Sequence, residues 1–252
     1  MTVGEQQIVV VTGAGRGIGA ATARILAERG FAVCVNYLRD SDAAEGIVQE
    51  IRASGGRALA VAADVSDEDD VARLFRAVDD QLGRVTALVN NAAFIASQST
   101  VRDMSVERIR RAFATNVIGP LMCMQEASRR MSTRLGGHGG SIVNVSSRAA
   151  QLASPGEYVD YAASKAALEA ITVHLAIELA LDGVRLVGVR PGIIDTEIHA
   201  TAGEPKRAHR LSSLIPMRRP GRPDEVARAI AWLLSNEAAI EPGTFLDVTG
   251  GW

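Results

Sequence analysis

A phenol and an ammonium set one helical turn apart are the residues of this chain most suited to chemistry. Tyr161-Ala-Ala-Ser-Lys165 lies in an alanine-rich stretch of helical period, and residues i and i+4 share one helix face. A free phenol, with a pKa of about 10, is a poor acid–base group near neutrality. A lysine cation beside it stabilises the phenolate and is expected to lower that pKa toward the working range. Three tyrosines and two lysines in 252 residues would give about 0.02 such pairs by chance. Tyr158 lacks the pairing, because Ala162 lies four residues on. Of 27 basic residues only Lys165 and Lys206 are lysine. A position kept as lysine in so arginine-rich a chain suits a compact ammonium donor; base composition is the alternative explanation.

The second chemical element is Thr12-Gly13-Ala14-Gly15-Arg16-Gly17-Ile18-Gly19, which follows an apolar run and precedes a helical one. Glycines there let the chain turn tightly and leave room for a pyrophosphate, while the helix N-terminus presents free N–H groups to phosphate. Counted from Gly13, Ile18 stands where G-x-G-x-x-G has its third glycine, so the pattern is T-G-x-x-x-G-x-G. At the end of the second strand a carboxylate would bind a ribose 2′-hydroxyl and repel a 2′-phosphate. This chain has Asn36-Tyr37-Leu38-Arg39 there, with Asp40 only after Arg39. Arg16 and Arg39 converging on that spot predict NADP(H) over NAD(H). The alternative is a solvated Arg39 paired with Asp40 or Asp42, since surface ion pairs are common and weak.

These groups need elements to position them. β-Branched runs begin at Ile8, Ala32, Arg57 and Val85, separated by segments of helical period at Gly17–Arg29, Ser41–Ser54 and Asp67–Leu82. Gly30 and Gly55-Gly56 signal helix ends, and Ser66-Asp67 opens the third helix. This is a βαβ rhythm with parallel strands buried on both faces. Further strands are expected at Ser141–Val145, Val184–Val189 and Thr244–Val248. Long helices are expected at Arg108–Leu135, Pro155–Leu181 and Asp224–Ser235. The expectation is an α/β fold: one doubly wound domain over residues 1–252. Residues 196–222 break the pattern and read as a substrate loop or a tolerated insertion.

Composition narrows the function classes. Apolar residues make up 47% and charged residues 22%, as in a globular chain. A net charge of −2 offers no basic field for nucleic acid or an acidic membrane surface. The N-terminal residues lack a basic or apolar leader pattern, no apolar run nears the ~20 residues that span a bilayer, and Cys34 and Cys123 read as buried reduced thiols. A cytoplasmic protein is expected. His138, His174, His199 and His209 show no ligand spacing, so no metal is expected.

TGAGRGIG at 12–19, Asn90-Asn91-Ala92-Ala93, Asn116, Ser146-Ser147, YAASK at 161–165 and Pro191-Gly192 resemble, in order and spacing, the short-chain dehydrogenase/reductase family. The match covers essentially the whole chain. It implies a single Rossmann-like domain with a seven-stranded parallel sheet, usually assembled into tetramers or dimers. It further implies Tyr161 as proton donor in carbonyl reduction and base in alcohol oxidation, with Lys165 lowering its pKa and holding the nicotinamide ribose. Ser147 would hydrogen-bond the substrate oxygen; it lies one residue further from Tyr161 than is usual in the family, and Ser146 two. Asn116 would anchor a water linking Lys165 to solvent. Gly13, Gly17, Ile18 and Gly19 would hold the pyrophosphate, with Asn36 and Tyr37 near the ribose. Asp64 and Val65 would contact the adenine, Asn90 the region beside it, and Asn91 and Ala92 the same wall. Pro191, Gly192, Ile194 and Thr196 would meet the nicotinamide end.

Two positions depart from the family pattern: Ala93 and Arg218 stand where glycine is usual. Positive φ at Ala93 would cost about 1 kcal/mol. Ser154-Pro155-Gly156-Glu157-Tyr158 ahead of the YAASK motif resembles sugar dehydrogenases, while small-ketone and 3-oxoacyl carrier-protein reductases share the other motifs. Arg207, His209 and Arg210 read as solvated rather than as anion ligands. An NADP(H)-sensing protein without chemistry is the reading from another class, and the intact Tyr161–Lys165 pair speaks against it.

Overall fold

The computed structural model describes residues 6–152, 156–238 and 242–252. Seven strands form one parallel sheet in the order β3-β2-β1-β4-β5-β6-β7. They are β1 Ile8–Val11, β2 Ala32–Tyr37, β3 Ala58–Ala62, β4 Ala87–Asn90, β5 Gly140–Val145, β6 Val184–Pro191 and β7 Phe245–Val248. Helices α1 Gly17–Glu28, α2 Ser41–Ala53 and α3 Glu68–Gln81 carry the first crossovers. Alternation along β1 shows why both faces are covered. Val9 and Val11 pack with Leu26 of α1 and Ile47 of α2, whereas Ile8 and Val10 pack with Leu74 and Phe75 of α3. The strand order reverses beside β1, between β2 and β4. Ligands of open parallel sheets bind at such a point, beyond the carboxyl ends of the strands.

The expected punctuation is physical. Gly30 and Gly55 have φ of 89° and 83°, conformations that end α1 and α2 at no Cβ cost. Asp67 accepts from the Asp70 backbone N–H at 2.9 Å and caps α3. Both cysteine thiols are buried, and burial pushes their pKa values up, which keeps them protonated.

Three expectations about elements are corrected. The helix expected over Arg108–Leu135 is α4 Val106–Phe113, a π-helical turn Ala114–Ile118, α5 Gly119–Met131 and a 3₁₀ turn Thr133–Leu135. Pro120 has no N–H to give the Asn116 carbonyl one turn back, so the regular ladder cannot run through it. Helix α6 spans Val159–Ala180 rather than starting at Pro155, which lies outside the described residues; Gly156, at φ 73°, precludes an earlier helical start. Residues 196–222 hold two four-residue helices, α7 Ile198–Thr201 and α8 Arg207–Arg210, and a 3₁₀ turn before α9 Pro223–Leu234.

Ala93 carries no positive φ, so its side chain introduces no backbone strain. Arg218, at φ 59°, is the one non-glycine residue in the left-handed region among those described. Its guanidinium donates to the Ser213 carbonyl at 2.7 Å, a partial compensation. A left-handed L-residue costs about 1–2 kcal/mol, most for β-branched side chains. Arg218→Gly is therefore expected to be at least as stable as the parent, and Arg218→Val about 1 kcal/mol less stable, by urea unfolding.

Candidate active site

The cleft, of about 1330 Å³, runs across the carboxyl ends of the strands. One half is built on backbone. Gly13 has φ 61° and approaches the β4 loop so closely that a Cβ would lie 2.9 Å from Ala92 Cα. Thr12 Oγ1 accepts from the N–H groups of Asn91 (2.9 Å) and Ala92 (3.0 Å), and Asn91 Nδ2 returns a bond to the Thr12 carbonyl at 2.8 Å. The loops after β1 and β4 thereby become one rigid wall. Arg16, at the N-terminus of α1, gives no side-chain cap, so the first N–H groups of the helix stay free for an anion. A Cβ on Gly17 would meet Thr196 at 3.4 Å, which places the 196–222 segment directly across this wall.

The outer end carries positive charge. Arg16 and Arg39 both line the cleft. Among the described residues neither forms an ion pair or a side-chain hydrogen bond. Asp40 is engaged elsewhere, accepting from the Ala43 N–H at 3.0 Å as the cap of α2. Asp64 lines the cleft while its Oδ1 accepts from Ser66 N and Oγ at 2.9 and 2.6 Å. Free helix N–H groups, a close-approach glycine and two unpaired guanidinium groups fit a dinucleotide with phosphates along this wall.

The inner end holds the acid–base pair. Lys165 is 2% exposed, and its Nζ donates to the Val145 carbonyl at 2.7 Å. The ammonium lies 5.7 Å from the Tyr161 ring centroid. Burial pushes Lys165 down to about 8, and the Glu169 carboxylate one turn on opposes that shift. Glu169 is itself fixed by Arg190, through bonds of 2.7 and 2.8 Å, and by Ser146 Oγ at 2.7 Å. Tyr161 departs from the sequence expectation: burial pushes its phenol up to about 12, and the Ser147 hydroxyl pulls in the opposite direction. Desolvation of a phenolate outweighs a neighbour whose own charge is weakened by the same burial. At neutral pH the phenol is therefore a held proton, the form a general acid needs.

Comparison with known proteins places this geometry. Residues 13–252 match the family model described as enoyl-(acyl carrier protein) reductase. An uncharacterised oxidoreductase of Escherichia coli, YgfF, is 50% identical over 97% of this chain and 99% of its own. A 3-oxoacyl-[acyl-carrier-protein] reductase of Synechocystis is 38% identical over 100% of this chain and 98% of its own. The crystal structure of a short-chain type dehydrogenase/reductase from Mycobacterium marinum superposes with a TM-score of 0.90 at 32% identity, covering 97% of this chain and 94% of that one. The chain belongs to the short-chain dehydrogenase/reductase family. It is an oxidoreductase acting on CH–OH groups, and the family binds NAD(P)(H).

Most of the residues that the family resemblance pointed to lie on one cleft: Ile18, Tyr37, Val65, Pro191, Gly192 and Ile194 join those already described along its wall. Gly19 does not line it; a Cβ there would sit 2.5 Å from Asn91 Nδ2, so this glycine lets α1 dock against the β4 loop. Asn36 reaches the wall, but its amide is occupied, accepting from Gly13 N at 3.1 Å and donating to Ala63 O at 3.0 Å. Asn90 is buried in the sheet, donates to Asn144 Oδ1 at 2.9 Å and does not line the cleft. Asn116 also lies behind the wall, where its side chain holds Phe94 N and O at 2.7 and 2.9 Å and Ser164 at 2.9 Å.

Sequence reasoning missed Thr12 and Glu169, whose partners are far away in the chain. Pro120, four residues after Asn116, was the available signal for the π turn. Arg207 is not solvated: it is 13% exposed at the side chain and clamped by Glu157 at 2.7 Å. His209 is largely exposed beside Asp195, and Arg210 is exposed on Glu204. No helix among the described residues is long and apolar enough to cross a membrane.

Proposed function

We propose that the protein is an NADP(H)-preferring oxidoreductase that interconverts a carbonyl and a secondary alcohol, acting on a sugar or small ketone. The half-buried Tyr161 beside the buried Lys165, with Ser147 next to the phenol, carries this reading. A bound nicotinamide supplies hydride in reduction and accepts it in oxidation. Ser147 and Tyr161 hydrogen-bond the substrate oxygen and orient its carbon. Tyr161 Oη gives its proton to that oxygen as the carbon becomes tetrahedral, and the Lys165 ammonium stabilises the phenolate left behind. Lys165 is held for this by Val145, and the Asn116 carbonyl, left without its helical donor by Pro120, holds a water that resupplies the proton. Oxidation runs the same transfers backward. Turnover of NADPH against a panel of ketones, aldoses and acyl thioesters tests the reading. Reduction of the thioesters alone would favour a 3-oxoacyl-thioester reductase, the second reading, which the Synechocystis relative supports.

The NADP preference rests on the unpaired Arg16 and Arg39 and on Asp40 being committed to its helix. Replacing both arginines with serine is expected to lower kcat/KM for NADPH by about 10- to 100-fold, the loss of one or two charge-assisted bonds to phosphate. NADH should change little. A parent protein that prefers NADH would overturn the assignment.

A cytoplasmic homodimer or homotetramer completes the reading. Val173 and Ile177 of α6, Leu181 just past its end and Leu121 of α5 leave apolar surface exposed, whereas Trp252 faces the cleft rather than a free surface. Light scattering should return two or four times the 26.6 kDa chain mass; a single chain mass would reject assembly.

A further inference from the structure

Tyr161 stands in the opening turn of α6, a poor place to hold a side chain still. The first ladder bond of that helix runs from Ala162 N to the Tyr158 carbonyl at 2.9 Å. The N–H groups of Val159, Asp160 and Tyr161 therefore have no helical acceptor, and the N-cap residue Tyr158 gives no side-chain cap. Helix ends of this kind fray unless something outside them takes hold. A proton donor tolerates little of that, because a misplacement of about 1 Å can cost 10²-fold in rate.

Two side chains from the α4 and π-turn run take hold. Arg108 of α4 grips Asp160, the residue before Tyr161, through Nε to Oδ2 at 2.7 Å and Nη2 to Oδ1 at 3.0 Å. The side chains of this pair are 13% and 3% exposed, so it is not a surface ion pair. Burial alone would raise the Asp160 pKa. The Arg108 guanidinium and the Tyr161 backbone N–H outweigh it and hold the carboxyl below its ordinary value. On the other side of Tyr161, Asn116 Nδ2 donates to Ser164 Oγ at 2.9 Å, and Ser164 Oγ donates to the Tyr161 carbonyl at 2.7 Å.

The same two side chains grip the stretch after β4 whose Phe94 and Ile95 line the cleft. Arg108 Nη1 donates to the Ser97 carbonyl at 2.6 Å, and Asn116 holds Phe94 N and O. Each therefore bridges the start of the acid-bearing helix and one wall of the cleft. Stability alone does not call for such a pair, since apolar side chains of similar volume often serve a fold as well as a buried ion pair. What a two-pronged guanidinium–carboxylate contact adds is a fixed direction.

We propose that Arg108 is a positioning residue for the reaction: its fork on Asp160, acting with Asn116 on Ser164, clamps the start of α6 and fixes Tyr161 against the Phe94–Ser97 stretch. This rests on Tyr161 as the proton donor of the reading above.

The test compares the parent with Arg108→Lys and with the pair Arg108→Met/Asp160→Leu, each also in a Tyr161→Phe background. Single-turnover oxidation of NADPH is followed with the panel carbonyl that the parent reduces fastest. Arg108→Lys keeps the charge and loses the fork, while the apolar pair removes both charges and should fold as stably as the parent by urea unfolding. Both should lower the rate at saturating NADPH by about 10- to 100-fold and leave the KM for NADPH unchanged. In the Tyr161→Phe background the same changes should cost less than about twofold, because the group they position is gone. Amide exchange of residues 159–164 should quicken by about tenfold or more while the strands are unaffected. An unchanged rate would overturn the inference and leave the reductase reading intact. A loss that persists in full in the Tyr161→Phe background would do the same, making Arg108 a structural support only. If Tyr161→Phe equals the parent, or the parent reduces nothing, the acid role falls and exchange alone decides: quickening confined to 159–164 upholds the clamp, and unchanged exchange removes it too.

Discussion

Tyr161→Phe is expected to lose about 10²- to 10⁴-fold in kcat, the usual contribution of a positioned general acid. NADPH affinity should stay nearly unchanged. The substitution removes one oxygen from the cleft-facing edge of a half-buried ring, so packing is kept and the folded state needs no rearrangement. A phenol pushed up to about 12 holds its proton throughout the neutral range, so the reductive direction needs no prior ionisation. The oxidative direction needs the phenolate and is expected to accelerate with pH. Stopped-flow reduction alongside an NADPH fluorescence titration checks both halves. Turnover retained in the phenylalanine protein would remove Tyr161 from its assigned role.

Lys165→Met should be comparably severe, about 10²- to 10⁴-fold, because it removes the cation that stabilises the phenolate while nearly preserving volume. It also leaves the buried Val145 carbonyl without its donor, a cost of about 1–3 kcal/mol that urea unfolding would register. Lys165→Arg is not a rescue: a planar guanidinium cannot occupy a site shaped for a compact ammonium with one carbonyl partner. The pH profile gives an independent check. With Lys165 pushed down to about 8, its cation is complete well below that pH and lost above it. Reduction should therefore be level at neutral pH and fall as pH rises through about 8. The Glu169 anion favours the Lys165 cation, so Glu169→Gln should move the alkaline fall to lower pH. A profile unmoved by that change would mean that the fall reports some other group.

The two predictions differ in how much of their basis could be read from the chain. The spacing of Tyr161 and Lys165 puts both groups on one helix face whatever surrounds them, because helix geometry is local. The βαβ rhythm was equally legible: β-branched runs and glycine stops set strand and helix periods within a few residues of each other. The glycines of 12–19 announced a backbone that approaches something closely. The direction of the Tyr161 shift was not legible, since it depends on how completely burial removes water from a phenolate, and burial is a property of the assembled sheet and helices.

Several other features lie beyond any local pattern. The carboxylate beside Lys165 is steadied by Arg190 from β6 and Ser146 from the end of β5. Gly19 and Asn90 carry family motif positions yet serve packing, because the α1–β4 contact and the β4–β5 pair claim them. Arg207, read from the sequence as solvated, is set over the Tyr158 ring and clamped by Glu157, a contact only the folded 196–222 segment makes. The sequence by itself determined the succession of strands and helices, the turn chemistry and the acid–base pair, all carried by interactions within a few residues. Only the tertiary structure decided which polar atoms are spent on holding loops together and which remain unpaired in the cleft. Such pairing joins residues separated by tens to about a hundred positions, and the low-dielectric interior that makes an unpaired group costly exists only once they meet.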